Sequence, residues 1–346
     1  MTTKPPAQGL PGEQEPLFED PAAAARDALG YRGPQACAAA GVSYRQLDYW
    51  ARTGLLRPSV RGASGSGTQR LYSFRDIVVL KIIKRLSPRM VRNSDIRAVE
   101  VAAAAAFPGG EHAWTSDGSW LLRAGDGATG SSNSAVPLGP SAGFTPVPME
   151  EIKDFFARRD LPVRLLVPER IGKPAERLLA DAAWETEPET LAMVLRGLPA
   201  LAEAPSASPT FHVEDHPDDQ WLEMYHSRSG TLSPQALKHL SAPIEGTLGF
   251  GRLALEGETI AIARATITES GDGTAWLGLF NAEVAANSRR RGFGTLLGQH
   301  LLRWGRDNGA EHAYLTVPAS NTAGVRLAEK LGFIEQHRRV YARLRG

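Results

Sequence analysis

The sequence predicts a multidomain α+β / α/β chain: an N-terminal winged helix-turn-helix, then two mixed-sheet halves with flanking helices. Three observations carry this prediction. A strongly basic block at 31–92 reads as two short helices across a glycine turn followed by a wing. Strand-like and helix-like runs alternate from residue 95 onward. At 276–304 a strand, a glycine-punctuated basic loop and a helix follow one another. The length, 346 residues, suits two to three domains of roughly 150 residues each.

Composition narrows the classes. At 42% hydrophobic and 22% charged, the chain is ordinary globular matter. Its formal net charge is +1, yet 31–92 holds twelve lysines and arginines against Asp48 and Asp76, a local +10 that leaves −9 for the rest. Such asymmetry points to a polyanion-binding module attached to a mildly acidic body. The single cysteine, Cys37, excludes an internal disulfide and any multi-thiolate metal site. No apolar run reaches transmembrane length and no signal peptide opens the sequence, so the expected compartment is cytoplasmic, with no membrane partner.

Residues 1–30, rich in proline, glycine and alanine, read as a disordered arm. In the 31–92 domain, Gly33-Pro34 starts a helix over 35–40, because proline suits a first helical turn. Gly41-Val42-Ser43 is the turn, and Ser43 caps a second helix over 44–53 that Gly54 ends. A Gly/Ser-rich hairpin at 61–68 leads to a strand at 69–72. A helix over 74–86 follows, with Ile77, Leu80, Ile83 and Leu86 at three-residue steps. The run A-G-V-S-Y-R-Q-L-D-Y-W-A-R-T-G-L-L-R-P, then Q-R-L-Y and R-D-I, resembles the DNA-binding domain of MerR-type transcription regulators. The resemblance implies a double-stranded DNA partner. Tyr44 and Arg45 would start the recognition helix, and Arg61 and Arg70 of the wing would contact phosphates. Tyr49 and Trp50 are expected in the small core, and Cys37 with them. Such regulators dimerise through a long helix after the wing, but Ser87-Pro88 interrupts the chain there. Paired half-site binding then requires a homodimer through another interface, or is absent.

A first sheet-and-helix half is expected at 95–200: a helix over 95–107, a hairpin of 120–124 with 133–138, a helix over 149–159, a strand at 163–167, a helix over 175–183 and a strand at 189–195. No catalytic constellation is legible in it. A linker at 201–209 leads to a second half at 210–346. There, 221–225 reads as a helix of the acceptor-side wall, and 249–255 and 259–268 as paired strands. A strand at 276–284 follows. The helix after it carries Leu296, Leu297, Leu301 and Trp304 on one apolar stripe.

Between that strand and helix lies Arg289-Arg290-Arg291-Gly292-Phe293-Gly294. First-turn amides lack intrahelical partners and the helix dipole favours an anion beside them. The two glycines admit close backbone approach, and the arginines add steering charge. Downstream come a strand at 313–317, Asn321, and a helix closing on Leu331-Gly332-Phe333. This order, R-x-x-G-x-G and then N…LGF, resembles the GNAT N-acetyltransferase superfamily from about Gly249 to Leu344. The W-L-L-R-A…N-S-A-V-P-L pattern at 120–138 resembles the N-terminal half of tandem members, here a degenerate partner that packs against the C-terminal half.

The resemblance implies acetyl-CoA as cofactor and an amine as acceptor, whose identity the sequence does not reveal. The amides of Arg290, Arg291, Gly292, Phe293, Gly294 and Thr295 would hold the pyrophosphate, with Arg289 beside them. Backbone around Val284 would meet the pantetheine arm, and Asn321 would bond the cofactor or order the cleft. Transfer needs a neutral amine, a polarised carbonyl and a proton for the leaving thiolate. Glu283 is the candidate base or water relay, with a solvated ion-pairing glutamate as the alternative. Relatives place a tyrosine just before E-K-L-G-F, where this chain has Ala328. The thiolate's proton therefore comes from Tyr341 on the last strand or from water, or turnover is slow or lost. Three readings stay open: a bifunctional DNA-binding acetyltransferase, a regulator that senses acyl-CoA, and an enzyme whose fused head no longer binds DNA.

Overall fold

A computed structural model of the chain describes residues 30–42, 44–52, 56–62, 70–86, 91–108, 110–125, 127, 129–200, 209–229 and 234–345. The expected arm before Gly30, the Ser43 cap, Gly54, the wing tip at 63–69, the Ser87-Pro88 break and most of the 201–209 linker lie outside these, as do the side chains of Arg45 and Tyr49. The chain forms two compact units, 1–90 and 91–346. No helix among the described residues is long and apolar enough to cross a membrane.

The first unit holds helices α1 (Gly33–Ala40), α2 (Tyr44–Arg52) and α3 (Phe74–Leu86). Strand β1 (Tyr31–Arg32) pairs antiparallel with β2 (Leu71–Tyr72), and Arg61 bridges to Leu71. Pro34 sits in the first turn of α1, where its missing N–H has no intrahelical role. Gly41, at φ 67°, ends that helix while Val42 N–H donates to Cys37 O at 3.0 Å. Helix α3 opens on a reciprocal cap: Asp76 N–H donates to Ser73 Oγ at 3.1 Å, and Ser73 N–H to Asp76 Oδ2 at 2.9 Å. The same carboxylate accepts from Ser59 N at 2.9 Å and Ser59 Oγ at 2.8 Å, which ties the base of the wing to the helix. Ala36, Leu47, Trp50, Tyr72, Ile77 and Leu80 form the core, so Trp50 is a packing residue.

In the second unit one mixed sheet of twelve strands runs in the order β3 (Glu111–Trp114), β4 (Leu121–Ala124), β5 (Ala135–Val136), β6 (Arg164–Pro168), β14 (Ile334–Leu344), β8 (Thr190–Arg196), β13 (His312–Pro318), β12 (Ala275–Val284), β11 (Glu258–Glu269), β10 (Thr247–Leu255), β9 (Thr210–Glu214), with β7 (Trp184–Thr186) also on β14. The two halves share this sheet rather than only packing against each other. β8, from the first half, lies between β13 and β14 of the second and pairs antiparallel with both. Beyond Arg339, β14 passes to β6 and β7. The two half-sheets thus satisfy each other's edge hydrogen bonds.

The faces separate by the two-residue period of strands. Leu277 and Leu279 of β12, with Ala261, Ala263 and Ala265 of β11, meet Leu297 and Leu301 of α9 (Phe293–Asp307). On the other face, α4 (Asn93–Ala106) packs Val99 and Ala102 on Val194, Trp276 and Tyr314. Thr268 Oγ1 donates to Ala102 O at 2.9 Å there, and Arg264 Nη2 to Ala106 O at 3.0 Å. Helices α5 (Met149–Ala157) and α6 (Lys173–Leu179) belong to the first half; α7 (Asp219–Ser229), α8 (Pro234–Leu240) and α10 (Thr322–Lys330) belong to the second. Trp221 of α7 and Leu240 of α8 pack on Phe250 and Ile262.

Candidate active site

Strands β12 and β13 are parallel and in register only from Trp276↔His312 to Leu279↔Leu315. Beyond that they diverge. β12 also bulges: Arg264 faces Phe280 and Ile262 faces Glu283, so Asn281 and Ala282 share Ala263 opposite, and Asn281 takes φ 52°. Divergence and bulge together open a cavity of about 280 Å³ whose lining includes Glu283, Val284, Gly294, Leu297, Asn321 and Ala328.

The arginine loop joins two residues of this lining, Val284 and Gly294. After Val284 the chain makes a turn at Ala286–Ser288, and Arg289 Nε donates back to Val284 O at 3.1 Å. Arg290 takes φ 60° and Gly292 φ 89° before α9 begins at Phe293. Leu296 N–H donates to Gly292 O at 3.0 Å, so the amides of Phe293, Gly294 and Thr295 precede the first intrahelical bond. Arg289, Arg290 and Arg291 are exposed, and the Arg291 guanidinium lies 5.0 Å from the Phe293 ring centre. The two glycines serve different ends. A Cβ on Gly292 would meet open space, so that glycine is required by its positive φ. A Cβ on Gly294 would stand 3.2 Å from Leu327 Cδ2 and 3.5 Å from Val284 Cγ2, on the cavity wall. Asn321 caps α10, its Oδ1 accepting from Gly324 N–H at 3.0 Å, and so fixes the opposite wall. Ala328 is buried and lines the same wall.

Tyr341 does not line this cavity. It lines a second one of about 160 Å³ that shares Phe280, Asn281 and Thr316 with the first and lies against α4. Glu100, Arg123 and Arg339 line it too, all buried. Glu100 of α4 and Arg123 of β4 come from the 95–200 segment, in which no catalytic constellation was legible. The signal was present: each is a lone charge inside an apolar run, Val99-Glu100-Val101 and Leu122-Arg123-Ala124.

Glu100 accepts from Arg339 Nη1 at 2.8 and 3.1 Å and from His337 Nε2 at 2.8 Å. Burial pushes its carboxyl pKa up, but Arg339 and His337 outweigh burial and hold it at about 2. Arg123 Nη2 donates to Ser134 Oγ at 3.0 Å, and burial pulls that guanidinium's pKa down. Arg264 donates through Nε to Leu240 O at 3.0 Å, and burial brings it down to about 10. Its guanidinium lies 4.4 Å from the Phe107 ring centre. The buried Tyr314 phenol on the same face is pushed up.

In the first unit, Tyr44 is 63% exposed at the start of α2, and Arg61 is exposed on the wing. Arg70 is not free of the fold. Its Nη1 donates to Asp48 Oδ1 of α2 at 2.8 Å.

A family model described as "Probable histone acetyltransferase Rv0428c C-terminal" matches residues 93–342, and one described as "MerR HTH family regulatory protein" matches residues 31–100. The chain is 37% identical over 320 residues, 92% of its own length and 94% of the relative's, to "Probable histone acetyltransferase Rv0428c" of Mycobacterium tuberculosis. Over 69 residues, 20% of this chain and 31% of the relative, it is 64% identical to "Uncharacterized HTH-type transcriptional regulator Rv1830" of the same organism. Among solved structures, a GCN5-related N-acetyltransferase from Kribbella flavida matches with a TM-score of 0.56 over 74% of this chain and 97% of that one. At 16% identity this is a likeness of fold.

Proposed function

The chain belongs to the family described as "Probable histone acetyltransferase Rv0428c C-terminal", a GNAT-type acetyltransferase with an N-terminal MerR-like helix-turn-helix, and from that premise we propose that it moves the acetyl group of acetyl-CoA to an amine while its head binds double-stranded DNA in transcription regulation. One observation supports the cofactor reading: Gly292 at φ 89° opens α9, whose first turn carries Gly294 of the cavity lining. When bound, acetyl-CoA supplies an acyl group activated as a thioester.

The chain's residues divide the rest of the work. The amides of Arg290 to Thr295 grip the pyrophosphate, and the exposed Arg289, Arg290 and Arg291 draw it in by charge. Val284 offers backbone groups to the pantetheine arm, and Asn321 keeps the wall in place by capping α10. Glu283, on the cavity, takes the acceptor's proton directly or through a water. With Ala328 where relatives carry a tyrosine, Tyr341 of the adjoining cavity protonates the leaving thiolate through a water, or water alone does so. In the head, Tyr44 and Arg45 approach base edges, and Arg61 contacts phosphate. Arg70, with donors on Asp48 and Tyr72, offers its others. The expected setting is the cytoplasm.

The test uses the full chain with radiolabelled acetyl-CoA and a panel of amines, amino acids, aminoglycosides and peptides. Labelled product from at least one amine supports the reading. Tight acetyl-CoA binding with no transfer to any amine favours a second reading, an acetyl-CoA-responsive regulator, for which the buried Ala328 on the cavity wall speaks. Neither binding nor transfer refutes both.

A further inference from the structure

The second cavity carries more charge than its own residues balance. Glu100 is 1% exposed and already bonded to Arg339 and His337. Arg123, 3% exposed on the same cavity, has no carboxylate within ion-pair reach among the described residues. Its Nη2 bonds Ser134 Oγ, and its Nε is buried with no hydrogen-bond partner among the described residues. Arg339 Nε is likewise buried and without one. Two guanidinium groups and a single carboxylate thus line one small cavity. A buried cation in that position is costly unless an anion meets it.

We propose that this cavity is the acceptor pocket and that it is built for a small amine bearing a carboxylate, with Arg123 binding that carboxylate. The proposal rests on the acetyltransferase reading above. Position supports it, since the cavity opens on the face covered by α4 and shares Phe280, Asn281 and Thr316 with the cofactor cavity. An amine held there sits where β12 and β13 diverge. Charge supports it as well. A carboxylate satisfies Arg123 with a charge-assisted hydrogen bond, which the side chain of a lysine within a peptide does not supply. Arg123 is a binding residue here, reaching the acceptor and not the thioester.

The experiment compares each of several amino acids with its own amide in acetyl transfer by the full chain. These pairs share an amine and differ in one negative charge. For the best substrates kcat/KM is expected to favour the acid by roughly 30-fold, the scale of a charge-assisted hydrogen bond that is lost with its partner. In Arg123→Leu that ratio falls toward one, and in Arg123→Lys, which keeps the charge in case the first variant folds poorly, it is partly restored. Acetyl-CoA affinity by calorimetry stays as in the parent. Equal rates for acids and amides, exclusive use of lysine-rich peptides, or no acid acetylated although acetyl-CoA binds would each overturn the proposal. Absence of acetyl-CoA binding would instead strike the acetyltransferase reading on which it rests.

Discussion

Replacing Gly292 with alanine tests the anion loop, and its effect can be worked from backbone geometry. The residue sits at φ 89° and ψ −3°, and a Cβ there would touch nothing, so any penalty is conformational. An L-residue forced into left-handed backbone costs roughly 1–2 kcal/mol. The loop relieves that strain by shifting Arg290 to Phe293, and the amides then lose their convergence. Two lost bonds to phosphate oxygens, each worth about 1.5–3 kcal/mol, weaken acetyl-CoA binding by at least about 100-fold. Gly273, at φ 81° in the β11–β12 turn and equally open, is the matched control. Gly273→Ala carries the same strain at the other end of β12 from Val284, and both variants should lose a few degrees of Tm, at about 2–4 °C per kcal/mol for a body of this size. Calorimetry then separates them: only Gly292→Ala loses acetyl-CoA. Parallel loss in both variants, or unchanged affinity in a folded Gly292→Ala or Gly292→Val protein, would refute the reasoning.

Three further outcomes are expected. Arg45→Ala with Arg61→Ala should weaken duplex-DNA binding and reduce the salt slope of log Kobs by roughly 0.9, the one phosphate contact of Arg61, with acetyl-CoA affinity intact; salt titrations by anisotropy check this. Glu100→Gln leaves the buried Arg339 without its carboxylate and should cost about 3–5 kcal/mol in urea unfolding. Glu100 is held at about 2, below its unfolded value of about 4.3, so its contribution is fully present above that value and is lost as pH falls toward 2. The stability gap between parent and Glu100→Gln should therefore narrow over that window. Residues 209–346 expressed alone should not fold, because β13 and β14 both lack β8, whereas 91–346 should give a cooperative melt.

Much of this fold was legible because its signals are local. The helix over 74–86 coincides with α3, since apolar residues at three-residue steps mark it. Strands β10 to β13 announce themselves as long β-branched and aromatic runs within two residues of their ends. Short edge elements did not announce themselves. β3 alternates little, with His112 and Trp114 both exposed, and β7 is three residues long. β9 is an edge strand of mixed polarity, Thr210–Glu214. The insertion of β8 was illegible for a different reason. Apolar alternation says that a strand is buried, not which strands flank it, and β8 finds partners more than a hundred residues away.

The site divides along the same line. The loop from Arg289 to Thr295 is contiguous, so its spacing could be read directly. Glu100, Arg123, His337 and Arg339 are brought together by long-range pairing, and only their isolation within apolar surroundings hinted at a role. Tyr341 was expected beside the thioester, and its chain neighbours give no sign that it opens onto a separate cavity. Arg70 likewise reads as a wing cation until Asp48 is found across from it.

Calorimetry of the full chain with coenzyme A, set against pantetheine, which lacks the pyrophosphate, bears most directly on the central claim. Anion capture by the α9 amides predicts saturable heat with coenzyme A and at least about 100-fold weaker binding of pantetheine, the cost of two lost amide bonds. Equal affinities for the two, or no heat with coenzyme A from a protein that melts cooperatively, would contradict it.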